Sequence, residues 1–518
     1  MRGRWGLPSG CGFPVEDSMS EKRPAAIPFL DWYGIWPSHR KIERDGVVWS
    51  QDPPRGVRLS IEPAEKSEIF FAGEREWEER SNLNINTVLF ENGRYRLWYG
   101  VNKVDDAAQS FVCYAESEDG FAWQRPELGL VAYKGSTRNN ILCAREEFHL
   151  GSIFADPAAP PEERYKGIMP RGQYYRDGKL DPDMDKKRFK ELLVAMDLGG
   201  VAAEERRRKL EIRQAVHGSV SADGIHWRNL DEPILDVGNT ALDTHNLGAF
   251  DREAGKYVAY LRGHIERRRL VRRAEGSDFR RLEDPRPCLM CDPQDPIDDD
   301  IYNSCYCPYP GRSLHLMFPS FYHRIESTVD IQLAVSRDGY LWSRPERKPI
   351  IDLSGEEGAY GTLYASPNLI GLDSGEWRLP FVANRHRHDF RERGESYPQD
   401  GECRWARWRE ERLVGLEAPG EGSVTIVQRR CAGEEMRLNF RAEPDGWVKV
   451  ELVHPPETPP REVEAFAGFG LEDGEVLTGD ELSRPVHWRG SSDLAALKGK
   501  EVSVRLHLYR AKLFSLSL

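Results

Sequence analysis

Ser117-Glu-Asp-Gly-Phe-Ala-Trp123 decides the reading of this chain, because it returns as Ser221-Ala-Asp-Gly-Ile-His-Trp227 and as Ser336-Arg-Asp-Gly-Tyr-Leu-Trp342. Each copy has the form Ser-x-Asp-Gly-x-x-Trp. Apolar runs such as Phe111-Val-Cys-Tyr-Ala115 and Ile331-Gln-Leu-Ala-Val335 precede it. This is the pattern of a hairpin: Asp-Gly supplies a residue that tolerates positive φ, and Trp opens the return strand and covers the neighbouring layer. A supersecondary unit that recurs along a chain implies stacked units, since one unit alone cannot bury its apolar face.

A second recurring element sets the number of units. Thr87-Val-Leu-Phe-Glu-Asn-Gly-Arg-Tyr-Arg-Leu-Trp-Tyr99 reads as strand, turn and strand, and Asn246–Tyr260 repeats it. Gly151–Asp156 leading to Arg164–Ile168, Ser304–Gly311 leading to Leu314–Phe318, and Pro367–Gly375 leading to Trp377–Phe381 complete five openings. Each leaves room for two further strands. The hairpin phrase is worn in the third unit, at Ala274–Phe279, and barely recognisable in the fifth, near Arg404–Trp408. The spacing predicts an all-β chain whose residues 56–410 form a five-bladed β-propeller, with a large irregular β-sandwich as the alternative.

The flanks read differently. Residues 1–55 are an N-terminal extension and lead-in, and Met19 is a candidate start that leaves residues 1–18 unstructured. Within the second unit, Gln173–Lys209 is a charged insertion that includes a predicted helix over Asp183–Leu193. After about residue 410 the phrase stops. Met436–Phe440, Trp447–Val453, Val502–Leu508 and Leu513–Leu516 alternate apolar and polar residues. That pattern predicts half-buried antiparallel strands, hence a β-sandwich over 411–518 with no catalytic residue.

The 518 residues are 39% hydrophobic and 31% charged, which suits a soluble globular protein of two domains. A net charge of −12 argues against a nucleic-acid surface. The basic runs Arg206–Lys209 and Arg267–Arg269 sit among acids and read as solvated faces. No stretch has transmembrane length, and the first twenty residues lack the apolar segment of a signal peptide. Nine scattered cysteines suit free thiols in a reducing compartment, so a cytoplasmic location is expected. The pairs Cys288/Cys291 and Cys305/Cys307 fit no common zinc module, and no metal or cofactor is expected.

The run Tyr95-Arg-Leu-Trp-Tyr99, then Tyr114–Trp123, then Pro126-Glu-Leu-Gly129 resembles bacterial proteins with a family-32-like glycoside hydrolase propeller. That group is similar in architecture to the invertase, levanase and arabinanase clans, whose invertase-type members also carry a C-terminal sandwich. The resemblance therefore spans nearly the whole chain and implies a glycosidase. The invertase opening Trp-Met-Asn-Asp-Pro-Asn is absent; Glu76–Asn84 stands in its place, which argues against sucrose or fructan as substrate.

In a propeller the first residues of each innermost strand sit at the channel mouth. Counting back from each first turn places Asn84 there, with Glu78 and Glu79 in the loop before it. The same count gives His149, then Asp243 with His245 and Asn246, then Asp300, Tyr302 and Asn303. The fifth unit contributes Tyr364, with Glu357 and Tyr360 ahead of it. Carboxylates serve as acid and as base or nucleophile, while neutral polar groups hold hydroxyls. Asp243, Asp300 and Glu79 are the catalytic candidates. Glu78, Asn84, His149, His245, Asn246, Tyr302, Asn303, Glu357 and Tyr360 are the substrate-binding ones. The resemblance would make Asp156 of Ala155-Asp-Pro157 a transition-state residue, but its register with Glu91 and Asp251 puts it at the far turn; Asp119, Asp223 and Asp338 are turn residues likewise. The expected activity is hydrolysis of a terminal sugar, plausibly a furanoside, from a small glycoside. A phosphorolytic glycosidase, with phosphate held by His149, by Arg262 and His264 or by Arg385–His388, is one alternative. A non-catalytic carbohydrate-binding propeller is the other. The sequence carries no indication of oligomeric state.

Overall fold

A computed structural model describes residues 26–103, 110–145, 147–184, 186–238, 241–390 and 401–518. The extension at residues 1–18, and Asn239 and Thr240 ahead of the third opening, lie outside the described residues. The chain is all-β apart from short helices, and it divides into two compact units.

The recurring phrase has one geometry in all three copies. The Asp Oδ1 accepts the backbone N–H groups two and three residues on, from Phe121 and Ala122, Ile225 and His226, and Tyr340 and Leu341, each at 2.8 Å. The Ser Oγ accepts the Gly N–H at 2.9 Å in every copy. The Trp indole N–H returns to the Gly carbonyl, at 3.2 Å for Trp123 and 3.0 Å for Trp227 and Trp342. Gly120, Gly224 and Gly339 all have positive φ, of 81°, 77° and 73°, a backbone region that glycine enters without steric cost. The turn is thus specified within seven residues by its own side chains.

Three antiparallel sheets follow in chain order. The first contains Ser81–Glu91, Arg94–Lys103 and Phe111–Ser117, with Trp123–Gln124 and Ile141–Ala144 both on its outer side. The second contains Ser152–Ala155, Tyr165–Arg176, Leu210–Ser221 and Trp227–Asn229, and the third Leu247–Asp251, Lys256–Ile265, Arg268–Gly276 and Arg286–Leu289. The fourth set is interrupted, so that Asp299–Asn303, Ser320–His323 and Thr328–Ile331 bond in one sheet and Tyr306–Pro308, His315–Met317, Ala334–Ser336 and Trp342–Ser343 in another. The last set is Thr362–Ala365, Glu376–Asn384, Glu402–Arg409 and, on its outer edge, Glu65–Phe71 from far upstream.

The sheets are joined through their first strands, through Ser320 on the second strand of the fourth set, and through their phrases. Thr87 Oγ1 donates to the Ile153 carbonyl, the Gly248 N–H to Ser152 Oγ, Ser320 Oγ to the Leu363 carbonyl and Ser366 Oγ to the Ile85 carbonyl. Each phrase glycine also accepts from the preceding set: Gly224 from Trp98, Gly339 from Tyr260, and Gly120 from Trp405 of the last. Apolar clusters fill the spaces between. Phe70, Phe71 and Trp405 pack with Ile85, Leu97 and Ile141; Trp98 with Ile153 and Trp227; Phe154 with Leu261 and Phe279; Tyr260 with Tyr306 and Phe321; Phe318 with Leu363 and Trp408. Phe279, buried in the worn third hairpin, covers the next layer as Trp does elsewhere.

Several details depart from the sequence reading. The charged insertion extends a hairpin: Tyr165–Arg176 and Leu210–Ser221 stay in unbroken register from Tyr165/Ser221 to Arg176/Leu210. Its helices are Lys186–Leu198 and Ala203–Lys209, later than predicted. Downstream, the predicted short strands merge into Arg437–Val453 and Glu501–Ser517, which join Val414–Arg430 and Asp480–Pro485 in one hydrogen-bonded sheet. Bulges such as that between Ala442 and Trp447 break the alternation without ending the strand, so one strand reads as two. The lead-in is not separate either: Tyr33–Arg58 belongs to the unit of Leu416–Leu518. Backbone pairing and an ion pair explain this: Ile27 lies opposite Leu516, Ile35 bridges Ile426, and the Arg505 side chain holds Asp52 at 2.9 Å.

Candidate functional site

The first strands of the sheets run from the end where the candidate residues sit toward the turns. Chain order brings Asp243, Arg262, His264, Arg269, Asp300, Tyr302 and His388 into one group at that end. Arg262 lies in the last part of Lys256–Ile265, toward the turn, and Arg269 lies near the start of Arg268–Gly276, which returns beside it. Both guanidinium groups lie over the Tyr302 ring, 5.2 and 5.5 Å from its centroid. Tyr322 and Tyr364 pack around the same ring at 6.3 and 5.7 Å, and the Tyr302 hydroxyl is 3.2 Å from His388 Nε2.

The two expected catalytic aspartates hold opposite positions in this group. The Asp243 side chain is 74% exposed and is ion-paired with Arg262, whose own side chain is 4% exposed. Asp300 is wholly buried under three arginines: Arg269 at 3.1 Å, Arg268 at 3.4 Å, and Arg324 in closest contact. An aspartate enclosed in this way has its lone pairs committed to guanidinium groups and is not a free acid, contrary to the sequence expectation. Glu79 is exposed in the loop before Ser81–Glu91, where its carbonyl accepts the Lys103 ammonium at 2.6 Å.

His245 is held well below the usual histidine range by burial, at about 4, beside the backbone of Gly151 and Asn86. The ring is therefore neutral at pH 7, and among the described residues its Nε2 has no hydrogen-bond partner. Thr244 Oγ1, Arg262 Nε and Arg269 Nε are likewise buried and unpartnered. Burial also pushes His264 and His388 down, aided by the positive charges of Arg262 and Arg269. Arg262 itself is lowered, chiefly by burial and further by the like charge of Arg269.

His149 lies in a neighbouring group. Its ring stands 4.9 Å from that of His217, Arg171 Nε donates to its Nδ1 at 3.3 Å, and burial lowers it to about 4. Asn84 is exposed on the first strand, opposite Gly100 and beside Asn86 and Asn102.

Other candidates are braces. Glu78 is internal: it accepts Tyr99 and Arg125 on one oxygen and the Glu74 and Arg75 N–H groups on the other. Asn246 ties down its own loop, donating to the Leu242 and Thr244 carbonyls while accepting the Arg262 N–H at 3.0 Å. Asn303 accepts the Ser320 N–H at the interruption of its sheet. Tyr360 is buried and donates to Glu402 at 2.6 Å, and exposed Glu357 lies 3.9 Å from Arg385. Glu78, Asn246, Asn303 and Tyr360 are thus engaged in bracing bonds, while Glu357 stays exposed.

Sequence reasoning missed Arg269, taken for part of a solvated run, and Tyr322. Position was the available signal: after the turn at Glu266 and Arg267, Arg268 and Arg269 open a strand. Asp156 lies at the turn between Ser152–Ala155 and Tyr165–Arg176, buried against Lys166 at 3.0 Å and accepting the Tyr257 hydroxyl at 2.7 Å. Among the described residues no group of three or more His, Cys, Asp or Glu could hold a metal ion, and no helix is long and apolar enough to cross a membrane.

No protein-family model and no curated protein matches the sequence. Among solved structures, the catalytic domain of a GH62 alpha-L-arabinofuranosidase from Coprinopsis cinerea aligns over 67% of this chain and 96% of its own, with TM-score 0.37 and 9% identity. A family 117 glycoside hydrolase from Zobellia galactanivorans aligns over 68% and 89%, with TM-score 0.34 and 11% identity. Beta-1,2-mannobiose phosphorylase from Listeria innocua aligns over 68% and 91%, with TM-score 0.37 and 12% identity. These neighbours are carbohydrate-active enzymes; the functional reading of this chain rests on its own geometry.

Proposed function

We propose that Leu59–Gly415 is a five-bladed β-propeller that cleaves a glycosidic bond at the end of its first strands, and that the C-terminal strands form a sandwich without catalytic residues. The observation that carries the reading is the concentration of buried, unpartnered polar atoms beside an exposed carboxylate. Arg262 Nε and Arg269 Nε belong to guanidinium groups over the Tyr302 wall, Arg262 paired with Asp243, and Thr244 Oγ1 and His245 Nε2 follow Asp243 in the chain. Buried polar groups are nearly always satisfied, so several together mark a site whose partners are those of a polar ligand. A sugar offers both the hydroxyls for these atoms and an apolar face for tyrosine rings.

In this reading Asp243 attacks the anomeric carbon or activates water, since an aspartate paired with Arg262 is the anionic partner. Glu79 protonates the leaving oxygen from across the mouth. Asp300 is a positioning residue that fixes Arg269. His149, His245 and Asn84 hold hydroxyls, and Tyr302 supplies the stacking wall. A terminal furanoside suits such a mouth, and no cofactor enters the chemistry.

Asp243→Asn, assayed with aryl furanosides and pyranosides, should keep the parent melting temperature and lose at least about a hundredfold in kcat. An Asp243→Asn protein that turns over at the parent rate would refute the assignment. Sugar binding without turnover in the parent would make the chain a carbohydrate-binding propeller.

A further inference from the structure

The mouth is unusually cationic for a site that handles neutral sugars. Arg262 and Arg269 both lie over the Tyr302 ring, with exposed His264 and partly buried His388 beside them. Arg268 and Arg324 stand behind. Among the described residues, the carboxylates ion-paired with these four arginines are Asp243, on Arg262, and Asp300, shared by the other three. Four positive charges therefore face two negative ones. Two guanidinium groups held over one ring repel each other, and the lowered pKa of Arg262 records that repulsion together with its burial. Each also keeps a buried Nε–H without an acceptor. Burying such a donor is costly unless it meets an acceptor, and an oxyanion fits two guanidinium forks better than a hydroxyl does.

We propose that Arg262 and Arg269 form an oxyanion site, resting on the glycosidase reading above, and that the bound group is either a carboxylate carried by the sugar or inorganic phosphate. Its negative charge satisfies both unpartnered donors and balances the local excess. Asp300 holds Arg269 from behind, and Asn246 fixes the Arg262 backbone, so both forks are pre-set before the anion arrives. A uronic acid would place its carboxylate here with its ring against Tyr302. Phosphate would instead sit beside Asp243 as a candidate acceptor for the sugar.

Titration calorimetry on the full chain separates these sources. Glucuronate, galacturonate, glucose, galactose and inorganic phosphate are titrated into the parent and into Arg269→Gln, with thermal melts on both. A uronate bound about tenfold to a hundredfold more tightly than its neutral counterpart, with the difference erased in Arg269→Gln, supports the sugar carboxylate. Phosphate binding that weakens about as much in the variant, with uronates no better than neutral sugars, supports phosphate. Equal affinity for anionic and neutral ligands in the parent overturns the oxyanion site whether or not the variant folds. An anion preference unchanged in a folded Arg269→Gln overturns it too. Turnover of neutral aryl glycosides with no anion preference would leave the glycosidase reading standing while this one falls. Anion binding without cleavage of any glycoside, with or without phosphate, would do the reverse.

Discussion

Replacing Asp156 by Asn removes a charge from one of the most enclosed ion pairs in the molecule. The carboxylate and the Lys166 ammonium are 3.0 Å apart, with side chains 0% and 2% exposed. Asp156 also accepts the Tyr257 hydroxyl at 2.7 Å and the Ala158 N–H at 2.9 Å. Asn keeps an oxygen for one of these bonds, yet it leaves a buried ammonium facing a neutral amide. Removing one member of a buried pair typically costs about 3–5 kcal/mol, because the other charge stays desolvated. Lys166 retains part of its support: its Nζ donates to the Glu163 carbonyl at 2.9 Å and lies 5.6 and 5.5 Å from the rings of Tyr257 and Phe279. The expected loss is therefore about 3 kcal/mol, near the lower bound. For a large unit that corresponds to a fall in Tm of roughly 6 °C. Turnover below the melt should stay within a fewfold of the parent, since Asp156 sits at the turn end of its strand. Adding Lys166→Met should restore at least half of the lost stability, because a buried pair replaced by apolar atoms is often neutral. Calorimetric melts and glycoside assays on the three proteins test this. A well-folded Asp156→Asn protein with unchanged Tm and no activity would refute the register argument and return Asp156 to the catalytic role that the family resemblance implies.

Gly224→Ala should lower stability by roughly 2–4 kcal/mol, combining the cost of a left-handed φ with a clash against buried Trp98, and a denaturant melt would show it. The φ is 77°, and an added Cβ would lie 2.7 Å from Trp98 Cζ2. His323, raised to about 10 by hydrogen bonds to Asp299 at 2.7 Å and then to Asp330 at 3.1 Å, should make the protein alkali-sensitive. A raised histidine stabilises fully below its unfolded pKa near 6.5, and that contribution is lost as pH climbs from there through about 10. Burial pushes Asp330 up and offsets part of the gain, so the loss should be roughly 2–4 kcal/mol. His323→Gln should flatten the decline in denaturation midpoints between pH 7 and pH 10, and an unchanged slope would show that the triad does not titrate there.

What the sequence made legible follows the range of the interactions involved. The Asp119, Asp223 and Asp338 turns close within seven residues, so their composition alone reveals them. The outer strand Glu65–Phe71 pairs with Glu402–Arg409, and no local pattern marks a partner more than three hundred positions away. The same distinction runs through the site. Register set Asp243 and His245 just ahead of Leu247–Asp251 and Tyr302 within Asp299–Asn303, because side-chain position along a strand is periodic. Protonation and charge balance are not periodic. Asp300 occupies the expected strand, yet its carboxylate is consumed by Arg268 and Arg269 from one sheet and Arg324 from its own, a combination set by two neighbouring hairpins. With Asp300 enclosed by arginines and Glu78 internal, the exposed carboxylates left among the candidates are Asp243, Glu79 and Glu357. Cations now outnumber anions where carboxylates were expected to dominate. The inversion explains why a reading built on counting acids underweighted Arg262 and Arg269, the residues whose unsatisfied donors carry the proposed oxyanion site.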